Sequence, residues 1–183
     1  MDSEGVVALG GELGDEERAE IFGPFVQEEF LVQMSSDPLP YFSDLKRQFP
    51  GLDNVSGIFD GRPFVQHPAR AGLERRHGER IFLVRCYGRE IEYEEAIKEM
   101  YGFGWRPANE KGAYRLVMSH PDYFRDDVEP HRPNWILAPG SHAVAAGNEL
   151  IAAVSFGAEW RSLGSRMRAN PASPRMGILF EKA

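Results

Sequence analysis

Apolar residues recur at helical spacing early in the chain and at strand-like spacing later, with a stretch of no clear period between. Phe25, Val26, Phe30, Leu31 and Met34 recur at the helical period, and Pro38 and Pro40 stop the pattern. Tyr41, Phe42, Leu45 and Phe49 predict a second, shorter helix closed by Pro50-Gly51. From residue 53 to residue 78 no apolar period is sustained. That segment is turn-rich and basic, with Arg62, Arg70, Arg75 and Arg76, and reads as loop or linker with one short strand near Phe64-Val65. Residues 80–87 are β-branched and aromatic, bounded by Gly78 and Gly88, and predict a strand.

Beyond that strand the punctuation is sharper. Tyr93, Ala96, Ile97, Met100 and Tyr101 fall on one face of a helix, Glu94, Glu95, Lys98 and Glu99 fill the rest, and Gly102 and Gly104 end it. Pro107 pushes Arg106 into an extended conformation, and Asn109 is placed to cap a second helix through Ala113, Leu116 and Val117 to Ser119, with Pro121 as its limit. An acidic loop follows. Residues 135–138 then predict a strand, Pro139-Gly140 a turn, residues 150–156 another strand and residues 176–180 the last. This divides the chain into an acidic, Gly-rich arm over 1–20, a small helical unit with linker over 21–78, and an α+β main domain over 79–183.

Size and composition narrow the classes. A chain of 183 residues fits one domain with an appended segment and can bury roughly 70% of its unfolded surface. An apolar fraction of 42% and an aromatic fraction of 11% are those of a globular protein. The formal charge of −7 argues against a general nucleic-acid binder, because neutralising phosphates needs a basic surface. Cys86 is the single cysteine, so neither an internal disulfide nor a Cys-rich zinc site is available, and a reducing, cytoplasmic setting is expected. No apolar run is long enough for a membrane span, and Met1-Asp2-Ser3-Glu4 has the opposite charge to a secretory leader. No cofactor is expected.

The chain closes with the small-residue stretch Ala152-Ala153-Val154-Ser155-Phe156, then Gly157, Trp160, Arg166, Arg168, Asn170-Pro171 and Gly177-Ile178-Leu179-Phe180. With the earlier segment Trp105-Arg106-Pro107-Ala108-Asn109 between two helices, this order resembles formylglycine-generating-enzyme-like domains over about residues 80–183. A group of small bacterial proteins of unassigned function is similar over the same helix and Arg-Pro-Ala segment. The first resemblance implies a C-type-lectin-like fold: mixed α+β, two main helices and short antiparallel strands. It does not imply the enzymatic activity. Gly112 stands where the family carries a Glu, Ala158-Glu159 replaces Gly-Ser before the Trp, and the cysteine pair that holds copper is absent. The related sulfoxide synthases use a His-rich iron site in an added helical domain, whereas no histidine precedes His67 here.

Several residues are candidate sites beside plainer roles. Arg106, at a helix start, can bind a ligand or tie loops together through bidentate hydrogen bonds. Trp160 can line a pocket or anchor the core. Arg161, Arg166, Arg168 and Arg175 form either an anion-binding edge or a solvated turn with weak ion pairs. His120, Asp122, Asp126, Asp127, Glu129 and His131 are the densest set of potential metal ligands, but they match no recognised metal spacing, so an acidic surface loop is the simpler account. His142 is a further candidate for that site. Gly10-Gly11-Glu12-Leu13-Gly14 has the wrong spacing for a dinucleotide turn, and Gly140-Ser141-His142 lacks the second Gly of a nucleophile elbow. The expected function is a non-catalytic binding or interaction module of a soluble bacterial or phage protein, presenting loops around 122–134 and 157–175 to a protein or small ligand. The alternatives are a small metal-assisted enzyme using His120, Asp122, Asp126 and His131, and a structural or assembly protein.

Overall fold

The computed structural model describes residues 27–35, 41, 44–45, 47, 54–73, 77–120, 133–157 and 160–183, without the side chains of residues 156, 157, 160 and 161. The arm expected over 1–20 lies outside these residues, as does most of the second short helix, of which Asp44, Leu45 and Arg47 are helical.

The first described element is a strand, β1 (Gln27–Met34), paired antiparallel along its whole length with β4 (Gly78–Cys86). The expectation of a helix here is therefore wrong over the described part. Phe30, Val32 and Met34 are buried while Leu31 is 55% exposed, which is the alternation of a pleated strand. Five apolar residues in ten positions satisfy both periods, and the nonlocal pairing with β4 decides between them.

Between these strands lie two short ones, β2 (Asn54–Val55) and β3 (Val65–Gln66), and single 3-10 turns at Gly57–Phe59 and Pro68–Arg70. After β4 come helix α1 (Tyr93–Gly102), strand β5 (Trp105–Pro107), helix α2 (Glu110–Ser119) and strands β6 (Trp135–Ala145), β7 (Asn148–Gly157), β8 (Trp160–Met167) and β9 (Met176–Lys182). The main path of the sheet runs β1-β4-β9-β6-β7-β8-β2, with β3 on β6 and β5 on β9. Pairs β6–β9 and β2–β8 are parallel and the rest antiparallel. The chain is thus mixed α+β, as expected, but the strands are not all short or antiparallel: β6 spans 11 residues and β7 spans 10.

Both helices follow their sequence signals. Tyr93, Ala96, Ile97 and Met100 form the buried stripe of α1, and Gly104 at φ 79° turns the chain away after it. Tyr101, assigned by period to the same stripe, is instead 49% exposed. Asn109 caps α2, its Oδ1 accepting from the Gly112 N–H at 3.1 Å while its Nδ2 donates to Gln66 Oε1 at 3.0 Å.

The helices cover opposite faces of the sheet. Phe82, Val84, Leu179, Ile136, Val154 and Leu163 pack with Leu116 and Val117 of α2, and Leu45 joins this core. Leu83, Phe180, Ile178, Leu137 and Ile151 pack with Ile97 and Met100 of α1. Residues 54–73, which read as linker, add β2 and β3 to the sheet and bury Phe59 and Arg70. Arg70 NH2 donates to Glu181 Oε2 at 3.0 Å and its NH1 to Pro107 O at 2.6 Å, while Arg80 Nε reaches Glu181 Oε1 at 3.2 Å. This buried ion triad locks the segment to β9 and β5.

The turn expected at Pro139-Gly140 is also corrected. β6 continues through both residues, with a register shift between Ala138 and Ala143, and reverses into β7 at Ala146 (φ 49°) and Gly147 (φ 78°). Proline is tolerated in a strand at such an irregularity, where the ladder does not need its N–H. No helix among the described residues is long and apolar enough to cross a membrane.

Candidate functional site

Arg168, just past β8, is held where four elements meet. Its NH2 donates to Glu94 Oε1 at 2.6 Å, its NH1 contacts His142 Nδ1 at 2.9 Å, and NH1 lies 3.6 Å from Glu149 Oε2. His67 adds a second contact to Glu94, Nε2 to Oε2 at 3.1 Å. His67 Nδ1 accepts from the Ala69 N–H, so its proton sits on Nε2 and is donated to Glu94. By the same logic Nδ1 of His142 accepts from Arg168, and its Nε2 faces Glu149 Oε1 at 3.6 Å. Burial pushes the Glu94 carboxyl up, but the hydrogen bonds from Arg168 and His67 outweigh this and hold it below its usual range. With two carboxylates against one guanidinium, Arg168 is already neutralised. The arrangement clasps the start of α1 to the ends of β6, β7 and β8, and does not offer a free cation to an anion.

Arg166 donates from NH2 to Pro171 O at 3.1 Å and so closes the turn after β8. Arg175 is exposed, and its carbonyl accepts from the Asn134 N–H at 3.3 Å. Trp160 and Arg161 are placed only by their backbone, opposite Gly157 and Phe156 at the start of β8. Of the four arginines, two are engaged inside the fold, one points to solvent and the fourth is undescribed in its side chain.

His120 ends α2. Its Nε2 donates to Leu31 O at 2.8 Å, and its ring meets Phe30 edge-on at a centroid distance of 5.2 Å, so it fastens α2 to β1. Asp122, Asp126, Asp127, Glu129 and His131 lie outside the described residues. Among the described residues, no group of three or more His, Cys, Asp and Glu side chains is placed to hold a metal ion.

Arg106 takes part in a different arrangement. Its guanidinium carbon lies 3.5 Å from the centre of the Tyr101 ring, and its NH1 donates to Trp105 O at 3.0 Å and Tyr101 O at 3.3 Å. Lys182, the cross-strand neighbour of Trp105, holds Nζ 4.6 Å from the Trp105 ring and 3.5 Å from Phe103 O. Trp105 is buried, whereas Tyr101 is 49% and Phe103 42% exposed. Two cations stacked on aromatic rings thus stand beside two exposed aromatic side chains, and among the described residues neither cation has a carboxylate within ion-pair reach.

Of this surface the sequence pointed only to Arg106. Tyr101 was taken for a core residue, and nothing local places Lys182 against Trp105, because 77 positions separate them and only the β5–β9 register brings them together. The signal available was the reversal at Gly102 and Gly104, which folds Arg106 back onto the last turn of α1. No family model matches the chain, and neither a curated protein nor a solved structure does so.

Proposed function

We propose that this chain is a non-catalytic binding module that meets its partner through Tyr101, Phe103, Arg106 and Lys182. The observation that carries the reading is the pair of ring-stacked cations, without carboxylate partners among the described residues, set beside exposed aromatic side chains. Aromatic and arginine side chains supply most of the energy at protein interfaces, and a guanidinium held flat on a ring loses little entropy on contact. The other candidate side chains support the reading by their engagement: His120, Arg166 and Arg168 are each bonded within the fold. The same proposal takes residues 80–183 as C-type-lectin-like in character, supported by the order of helix, extended Trp105–Pro107, helix and closing strands.

The test is capture of partners from cells of the source organism by the full chain and by a Tyr101→Ala/Arg106→Ala variant of unchanged thermal stability. The reading expects a partner retained by the wild type and lost by the variant. Equal retention by both would refute it.

A further inference from the structure

We infer that the partner segment meeting this surface is an acidic peptide stretch, with one carboxylate seated on the open edge of the Arg106 guanidinium. The inference rests on the binding reading above. Arg106 uses NH1 on two backbone carbonyls, and its Nε and NH2 find no acceptor among the described residues. That Nε–NH2 edge is the fork that receives a carboxylate through two parallel hydrogen bonds. Stacking at 3.5 Å on Tyr101 and anchoring through NH1 fix the plane of the fork before a ligand arrives. Lys182 adds a second positive charge at the same turn, where Trp105 and the Phe103 carbonyl hold its Nζ.

The partial negative charge at the C-terminus of α1 accounts for why two cations gather there. It satisfies the carbonyl-facing donors and leaves the outward ones. The field of the chain does not oppose the assignment. Residues 1–20 carry seven acidic side chains and Arg18, a formal −6 of the total −7, so residues 21–183 sum to −1. Nucleic acid fits less well. It wants a row of cations along its phosphates and open ring faces for its bases, whereas this turn has two cations and the Arg106 guanidinium covers a face of Tyr101.

Titration of the full chain with hexaglutamate, hexalysine and an oligothymidylate, followed by NMR at the Trp105 indole N–H and the Arg106 Nε–H, tests this. Hexaglutamate is expected to move both signals saturably, less so as salt is raised. Arg106→Lys keeps the charge but not the fork, and is expected to weaken binding roughly tenfold. Lys182→Gln is expected to weaken it to a lesser degree. Unmoved signals, or equal affinity in Arg106→Lys, would overturn the inference, as would tighter binding of hexalysine or oligothymidylate at the same signals. None of these outcomes bears on whether Tyr101→Ala/Arg106→Ala loses its captured partner, so failure of the ligand class is distinguishable from failure of the surface.

Discussion

A methyl group added at Gly140 would sit 2.3 Å from Pro107 O and 2.6 Å from Ala108 O, both backbone atoms, at the junction of β5, α2 and β6. No side chain can swing aside there, so Gly140→Ala is expected to cost more than the ~1–3 kcal/mol of ordinary overpacking, read as a lowered urea midpoint at unchanged slope. The sequence showed Pro139-Gly140 and suggested a turn, because that pair marks turns and close backbone approaches alike. Only the meeting of three elements separates the two. His120 shows the same limit in another form. Beside an acidic run it looked like a loop residue or a metal ligand, and its real contact, Leu31 O, is 89 positions away. His120→Ala is expected to cost about 1 kcal/mol, a loss of roughly 2–4 °C in melting temperature. That loss should be the same with chelator or with divalent metal. A loss seen only with metal present would restore the metal-site reading.

Where an element's signal is local it was legible. α1 and α2 came with stripes within their own ten residues and an Asn cap and Gly stops at or just beyond their ends, and β4 and β9 with continuous apolar runs suited to strands buried between neighbours. β8 was missed because Arg161 and Arg166, with Arg168 just past it, give it the look of a polar turn, although Leu163 alone of its described side chains is fully buried on the α2 face and Arg166 belongs to the other. β1 was misread for the reason that short apolar runs satisfy two periods. The two alternatives rank adjacent positions oppositely. As a strand, Leu31→Lys should change stability by less than about 0.5 kcal/mol and Val32→Lys by several kcal/mol, since Val32 is fully buried against α2. Denaturant melts of the two variants decide it, and a larger loss at Leu31 would return the helix.

At the scale of the molecule, one sheet carries a core on each face, and the clasp around Arg168 ties the helix of one face to three strand ends. Its pH dependence follows from Glu94: burial pushes its carboxyl up, but the hydrogen bonds from Arg168 and His67 outweigh this and hold it below the usual carboxylate range in the folded chain. A lowered folded value means a contribution fully present above the unfolded value and lost as pH falls through the folded one. Glu94→Gln should therefore melt below the wild type at neutral pH, with the gap closing toward acid; a gap that widens there would contradict the clasp. The charge distribution was legible in the sequence: the total of −7 spoke against a general nucleic-acid binder, and six of those charges fall in the acidic segment 1–20.

Contact with a partner is proposed at the α1–β5 turn. A photo-crosslinking residue placed at Phe103, and in a control at Val144, exposes the two sites to the same cell contents, since both side chains are open to solvent at 42% and 53%. Covalent adducts at position 103 that vanish with Arg106→Ala, and none at position 144, are the predicted result. Adducts at position 144 with none at position 103 would contradict it.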